Sequence, residues 1–227
     1  MPETGRGWII LIHGFHRTYK DMTPLRNLLI SRGYKVSRIN LPLTFSTIEE
    51  ATSTLIDIAK KKIPKLKDGE KIHMVGHSTG GLIIRHFLAV SDFLPHVGRC
   101  VLIATPNHGY KLASYAEKLS KTYISIYKTM KSLQPEQVNL LKLIGNEVEI
   151  GAIAGTKSSP LLAGVIGAIN DGRIEVDAVK YDELTDFITL PYRHTQIHKK
   201  DETAELIDNF ISTGRFLTTS DIEKEHL

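Results

Sequence analysis

The sequence predicts an α/β fold, a mostly parallel central sheet of about six strands with helices on both faces. Three observations predict it. Short apolar runs alternate with segments of helical spacing along most of the chain. The first run, Trp8 to Ile12, is apolar without interruption, as in a parallel strand buried on both faces. The length, 227 residues, suits one large domain with an ample core.

Each element has a local reason. Trp8 to Ile12 ends in His13-Gly14-Phe15-His16. Met22 to Arg32 carries Leu25, Leu28 and Leu29 at helical spacing, with Gly33 as a stop. Lys35 to Asn40 is a second strand, closed by Leu41-Pro42. Thr47 to Lys62 is a helix with Thr47 and Glu50 as a capping box and an apolar stripe of Ile48, Ala51, Leu55, Ile58 and Ala59. Ile72 to Val75 is the third strand, Gly80 to Ala89 the third helix and Arg99 to Ala104 the fourth strand. The rhythm then breaks. Lys111 to Ile144 reads as helix interrupted near Gln134-Pro135, and no strand follows until Val148 to Ala154. An insertion there lies over the carboxyl end of the sheet, so 108–146 is expected to be a small helical cap within a single domain, 1–227. The stretch from Gly155 to Gly172 reads as loop with one short helix. Arg173 to Val179 alternates like a short strand, and Asp186 to Leu190 is the last strand. Asp201 to Phe210 closes the chain as an amphipathic helix, stopped by Gly214.

Composition excludes several classes. A net charge of +4 is mildly basic, but the lysines do not interleave with aromatics, so no nucleic-acid partner is expected. The cluster Lys60-Lys61-Lys62 closes a helix, where cations suit the dipole; a peripheral contact with anionic lipid is its alternative use. A single cysteine, Cys100, allows no disulfide framework. No apolar run approaches the roughly 20 residues of a membrane helix, and the short polar Met1–Gly7 is no signal peptide. The expectation is therefore a soluble, cytoplasmic protein.

The chemistry centres on Val75-Gly76-His77-Ser78-Thr79-Gly80-Gly81, a Gly-x-Ser-x-Gly between a strand and a helix. A turn this tight holds Ser78 in a strained conformation and needs neighbours almost without side chains. It lifts the hydroxyl above the sheet edge and aims the helix N-terminus at the place where an oxyanion would form. A serine needs a base, and the base needs an acid. His194, after the last strand, is the leading base, with His108 and His198 as rivals. Asp171, in Asn170-Asp171-Gly172, is the leading acid, with Asp177, Asp182, Glu183 and Asp186 as alternatives. The oxyanion donors expected are the backbone N–H groups of Thr79 and of Phe15, the latter because Gly14 lets the backbone approach. No metal ligation is expected, since no His/Cys/Asp spacing of that kind occurs.

At these residues the chain resembles the α/β-hydrolase superfamily, in its bacterial lipase/esterase branch with the GPI-inositol-deacylase-like lipases. The similarity lies in Leu11-Ile12-His13-Gly14-Phe15, Gly76 to Leu82, Ala104-Thr105-Pro106-Asn107-His108-Gly109, Asn170 to Ile174, and His194-Thr195 before a terminal helix; it runs from Trp8 to Phe216. The resemblance implies the chain order serine, acid, histidine, and a Ser78–His194–Asp171 serine hydrolase. Such an enzyme acts on small-molecule or lipid esters and requires no cofactor. The same residues would serve a thioester substrate or an acyl acceptor other than water, and a binding protein on a hydrolase fold is a separate class. The cap matches no pattern closely, so substrate specificity is not implied.

Overall fold

The uninterrupted apolar runs become parallel strands. In the computed structural model, which describes residues 6–109, 128–139, 148–158 and 169–217, six strands form one sheet. They are β1 (Trp8–Ile12), β2 (Lys35–Ile39), β3 (Ile72–His77), β4 (Val97–Ile103), β5 (Ile150–Gly155) and β6 (Asp186–Leu190). Their order across the sheet is β2-β1-β3-β4-β5-β6, and every neighbouring pair is parallel. Parallel neighbours need a crossover. Helices α1 (Thr23–Ser31), α2 (Ile48–Lys62) and α3 (Thr79–Val90) supply the first three. Short helices α4 (Lys128–Ser132) and α5 (Pro135–Val138) precede β5, α6 (Val176–Val179) precedes β6, and α7 (Asp201–Thr213) closes the fold. This is the α/β-hydrolase architecture that the resemblance implied.

The two-residue period of a strand divides the core into two layers. On β1, Ile10 and Ile12 join a cluster with Leu55 of α2 and Ile83 and Phe87 of α3. Ile9 and Leu11 join the opposite cluster with Leu25 and Leu29 of α1 and Ile207 and Phe210 of α7. All four β1 side chains have no exposed surface. At roughly 1.5–3 kcal/mol for each fully buried aliphatic side chain, β1 is the strand that ties both layers together.

The local signals act as expected. Thr47 Oγ1 accepts the Glu50 N–H at 3.2 Å, and Glu50 Oε2 accepts the Thr47 N–H at 3.1 Å. Gly214 caps α7 in the left-handed region, at φ 81°. Lys60, Lys61 and Lys62 form the last turn of α2. Lys62 donates to Ser37 Oγ at 3.0 Å and lies over the Trp8 ring. Among the described residues no helix is long and apolar enough to cross a membrane.

One expected element differs. Residues 173–179 do not form a strand: Asn170 and Glu175 make a single antiparallel bridge, and Val176–Val179 is a helical turn. The cause is Asp171, whose Oδ1 accepts the N–H groups of Arg173 and Ile174 at 2.9 and 2.8 Å. Those two donors are no longer available to a ladder. Most of the expected cap, and the helix expected between Gly155 and Gly172, lie outside the described residues.

The winding direction places the site. From β1 the chain steps outward to β2, then returns past β1 to β3 and runs to the other edge. The loops leaving the carboxyl ends of β1 and β3 therefore part, opening a crevice between them.

Because β1 serves both layers, Leu11→Ala is expected to cost about 2–5 kcal/mol. Thr47→Ala, which removes only a helix cap, is expected to cost about 1 kcal/mol. Urea unfolding measures both; equal, small costs would contradict the two-layer packing of β1.

Candidate active site

Ser78 sits between β3 and α3 at φ 55° and ψ −125°, a conformation that strains any residue with a Cβ. The strain, of order 1–3 kcal/mol, persists because the surroundings leave no alternative. The Ser78 N–H donates to Ile103 O at 2.8 Å, and the Gly81 N–H donates to Ser78 O at 3.0 Å. The start of α3 is pressed against the end of β1: a Cβ on Gly80 would lie 2.6 Å from the carbonyl oxygens of both Ile12 and His13.

The residues after β5 and β6 converge on Ser78. His194 Nε2 is 3.1 Å from Ser78 Oγ, and His194 Nδ1 is 2.7 Å from Asp171 Oδ2. The carboxylate only accepts, so Nδ1 carries the proton and Nε2 is left to accept from the serine hydroxyl. Asp171 and His194 are both buried. Asp171 Oδ1 is held by the two backbone N–H groups of its own turn, and the His194 N–H donates to Asp171 O at 2.9 Å. The structure thus brings together Ser78, His194 and Asp171. It separates the rivals: His108 Nε2 is paired with Lys180 O at 2.9 Å, while Asp186 Oδ2 accepts the Phe216 N–H at 2.6 Å.

The loop after β1 completes the crevice. His13, fully buried, donates Nδ1–H to Gly14 O at 2.9 Å and accepts the Leu41 N–H at Nε2 at 3.1 Å. With the Gly14 carbonyl turned toward His13, the planar peptide turns the Phe15 N–H the opposite way. Gly14 lies directly beside the serine; a Cβ there would be 3.0 Å from Ser78 Cβ. Phe15 and Thr79 both line the cleft with Ser78 and His194, as do Met130 and Leu133.

Several supporting residues carry no legible sequence signal. His77 Nε2 donates to His194 O at 2.9 Å, so the peptide groups on both sides of the His194 ring are pinned. His77 in turn stacks on His198, with ring centroids 3.8 Å apart and planes 28° from parallel. His198 Nε2 lies 3.1 Å from Asp21 Oδ2, off the line of a good hydrogen bond, and Lys199 Nζ is 2.8 Å from Asp21 Oδ1. Burial raises the Asp21 carboxyl, but His198 and Lys199 outweigh it and hold it well below the usual carboxylate range. Asp21, His77 and His198 offer ligand-type atoms within 4.8 Å of one another. In stacked rings the in-plane lone pairs run alongside one another rather than converging on one point, and Asp21 already pairs with Lys199. The trio is a support behind His194. On the far side, Arg85 donates to Asn107 O and Oδ1 at 2.9 and 2.7 Å and lies over the Tyr181 ring. Burial pushes its guanidinium down to about 10. Arg85 so anchors the segment after β4 beneath the cleft.

A serine at a strained strand–helix turn, at the carboxyl edge of a six-stranded parallel sheet of this strand order, defines the class by architecture: the α/β-hydrolase fold. The chain belongs to the family described as "Putative serine esterase (DUF676)", whose pattern matches residues 4–134. That span carries Phe15 and Ser78 and ends before Asp171 and His194. No curated protein sequence matches the chain. Among solved structures it is similar to a mature lipase of Bacillus licheniformis, with a TM-score of 0.77, 18% identity and 93% of each chain covered. It is also similar to a metagenomic carboxyl esterase, with a TM-score of 0.71, 15% identity, 93% of this chain and 77% of that one. A phospholipase from Legionella pneumophila has a TM-score of 0.60 at 20% identity over 76% of this chain and 44% of that one. At these identities the likeness is one of fold; with the family, it marks an esterase-like hydrolase.

The buried histidines make stability depend on pH. Burial holds His13, His77 and His198 below their ordinary value, His77 well below, and pushes His73 down to about 4. Unfolded, each gains a proton near pH 6.5; folded, each stays neutral there. The unfolded chain then binds more protons, so stability is full above about pH 6.5 and is lost as pH falls through it. Each such group adds up to about 1.4 kcal/mol per pH unit to the slope. Urea unfolding between about pH 7.5 and 5.5 is expected to show this fall, reduced by one proton in His198→Gln. A flat profile would contradict neutral burial.

Proposed function

We propose that the protein hydrolyses carboxylic esters through an acyl-enzyme on Ser78. The observation that carries this reading is the unbroken line of short distances from Ser78 Oγ to His194 Nε2 and from His194 Nδ1 to Asp171 Oδ2. In this mechanism Ser78 Oγ attacks the ester carbonyl carbon while His194 Nε2 takes the hydroxyl proton. Asp171 orients the ring and stabilises the imidazolium without itself being protonated. The oxyanion is held by the N–H groups of Phe15 and Thr79. As the tetrahedral intermediate collapses, the C–O bond to the alcohol breaks and His194 returns the proton to the leaving oxygen. Water, deprotonated by His194, then attacks the acyl-enzyme and releases the acid and free Ser78.

Residues 108–146 act as a cap in this reading. Support comes from Met130 and Leu133, which line the cleft together with Ser78, and from Thr129 Oγ1, which donates to Ser46 O at 2.5 Å and fastens α4 beside the start of α2. The cap supplies an apolar wall for the acyl chain and sheds water from the reacting carbonyl.

A chain-length series of 4-nitrophenyl esters tests the reading. Ser78→Ala and His194→Ala are each expected to lower kcat by about 10⁴–10⁶, and Asp171→Asn by about 10⁴. His198→Ala, which removes only a supporting ring, is expected to lose far less. Turnover that survives in Ser78→Ala would sink the assignment, as would failure of Ser78 to label with a fluorophosphonate.

A further inference from the structure

The cleft above Ser78 is lined by side chains of two characters. Phe15, Met130, Leu133 and Ile174 are apolar. Arg17 and Arg173 line the same cleft from the two loops that carry Phe15 and Asp171. Their backbones are fixed. His16 holds a left-handed conformation at φ 58°, and its N–H donates to Leu43 O at 3.2 Å. The Arg173 N–H donates to Asp171 Oδ1 at 2.9 Å. Arg17 follows His16 and Arg173 follows Gly172, at φ 90°, so each arginine comes directly after a residue in the left-handed region.

Both side chains are exposed, and neither guanidinium has a hydrogen bond or ion pair with any described residue. That sets them apart from Arg6, Arg32 and Arg99, each of which holds a carboxylate. One carboxylate, Asp21, also lines the cleft, but Lys199 lies 2.8 Å from it and His198 3.1 Å. Among the described residues the cleft so carries two cations without a paired carboxylate, alongside apolar side chains.

We propose that the substrates favoured at Ser78 are amphiphilic esters bearing an anionic group, a carboxylate or a phosphate, which is held at the cleft mouth by Arg17 and Arg173. The inference rests on the hydrolytic reading of Ser78 and adds the substrate class. A guanidinium presents a planar fork of donors that matches the oxygens of either anion, and it keeps its charge at every relevant pH. The hydrocarbon part packs against Met130 and Leu133. Charge at the mouth also draws the ester in from solution, an effect that salt screens.

Two matched pairs of esters test it. The first is 4-nitrophenyl hexanoate against the mono-4-nitrophenyl ester of adipic acid, which puts a carboxylate on the acyl side. The second is hexanoyl glycerol against hexanoyl glycerol 3-phosphate, which puts a phosphate on the alcohol side. Wild type at low salt is expected to favour the anionic member of at least one pair by about tenfold or more in kcat/KM, with the preference shrinking as salt rises. The double variant Arg17→Gln, Arg173→Gln is expected to lose most of that preference. A second readout does not need turnover: Ser78→Ala, titrated by calorimetry with hexanoyl glycerol 3-phosphate and with adipic monoesters, should bind the preferred anion about tenfold tighter than does the same protein with both arginines replaced. Preference for the neutral member in both pairs, or an anionic preference that survives the double replacement, overturns the inference while leaving hydrolysis intact. Arg-dependent binding to Ser78→Ala, with no turnover by wild type, upholds the anion site and overturns the hydrolytic reading instead.

Discussion

The close approach of α3 to the end of β1 is the constraint on which the rest depends. Gly80 lies so near the carbonyls of Ile12 and His13 that a Cβ there would meet both at 2.6 Å, so the turn between β3 and α3 has no room to relax. Ser78 is left at positive φ with its hydroxyl lifted above the sheet. Such strain persists only inside a framework stiffer than itself. Here the framework is β1, buried on both faces and paired on both edges, with β2 and β3 as its neighbours. Sheet topology and active-site geometry are one problem: the strand that fixes the elbow also carries the loop that closes the crevice beside it.

Strain is concentrated where chemistry is expected. Among the described residues the non-glycine positions at positive φ are His16, Ser78 and Ala104. They lie in the loops after β1, β3 and β4, all at the carboxyl edge of the sheet. Each is braced by a backbone hydrogen bond into neighbouring structure: His16 N–H to Leu43 O, Ser78 N–H to Ile103 O, and Ala104 N–H to Ile153 O. The opposite edge shows no counterpart among the described residues. Regular packing in the two core layers thus offsets irregular backbone at a single rim.

How much of this was legible depended on whether the cause was local. The strands were legible because burial on both faces demands uninterrupted apolar residues, and the capping box of α2 because Thr47 and Glu50 are three residues apart. Ser78 was legible because the steric demands of its turn are written in adjacent glycines. His194 and Asp171 could be nominated from chain order but not separated from neighbours such as His198, four residues on. What separates them is the long-range packing of the loop after β6 against the Asp171 turn. The short strand expected at 173–179 failed for a related reason. Alternating residues such as Ile174, Val176 and Ala178 fit a strand equally well, and only the capture of the Arg173 and Ile174 N–H groups by Asp171 decides against it.

The histidines illustrate how one residue type divides its roles by environment. His13 and His77 are neutral hydrogen-bonding braces: one fixes the peptide that turns the Phe15 N–H, the other fixes the carbonyl of His194. His198 supports His77 by stacking. Burial disfavours the charged form of all three, and that suits the proposed mechanism. A permanent cation at His77 or His198 would oppose the positive charge that His194 takes up in that mechanism as it accepts the serine proton. Keeping the supporting rings neutral lets Asp171 act on His194 alone, at the cost of a fold that weakens once the pH falls below the ordinary histidine range. The same logic keeps Lys199 occupied by Asp21: the lysine beside these rings is compensated, whereas Arg17 and Arg173 in the cleft pair with no carboxylate among the described residues.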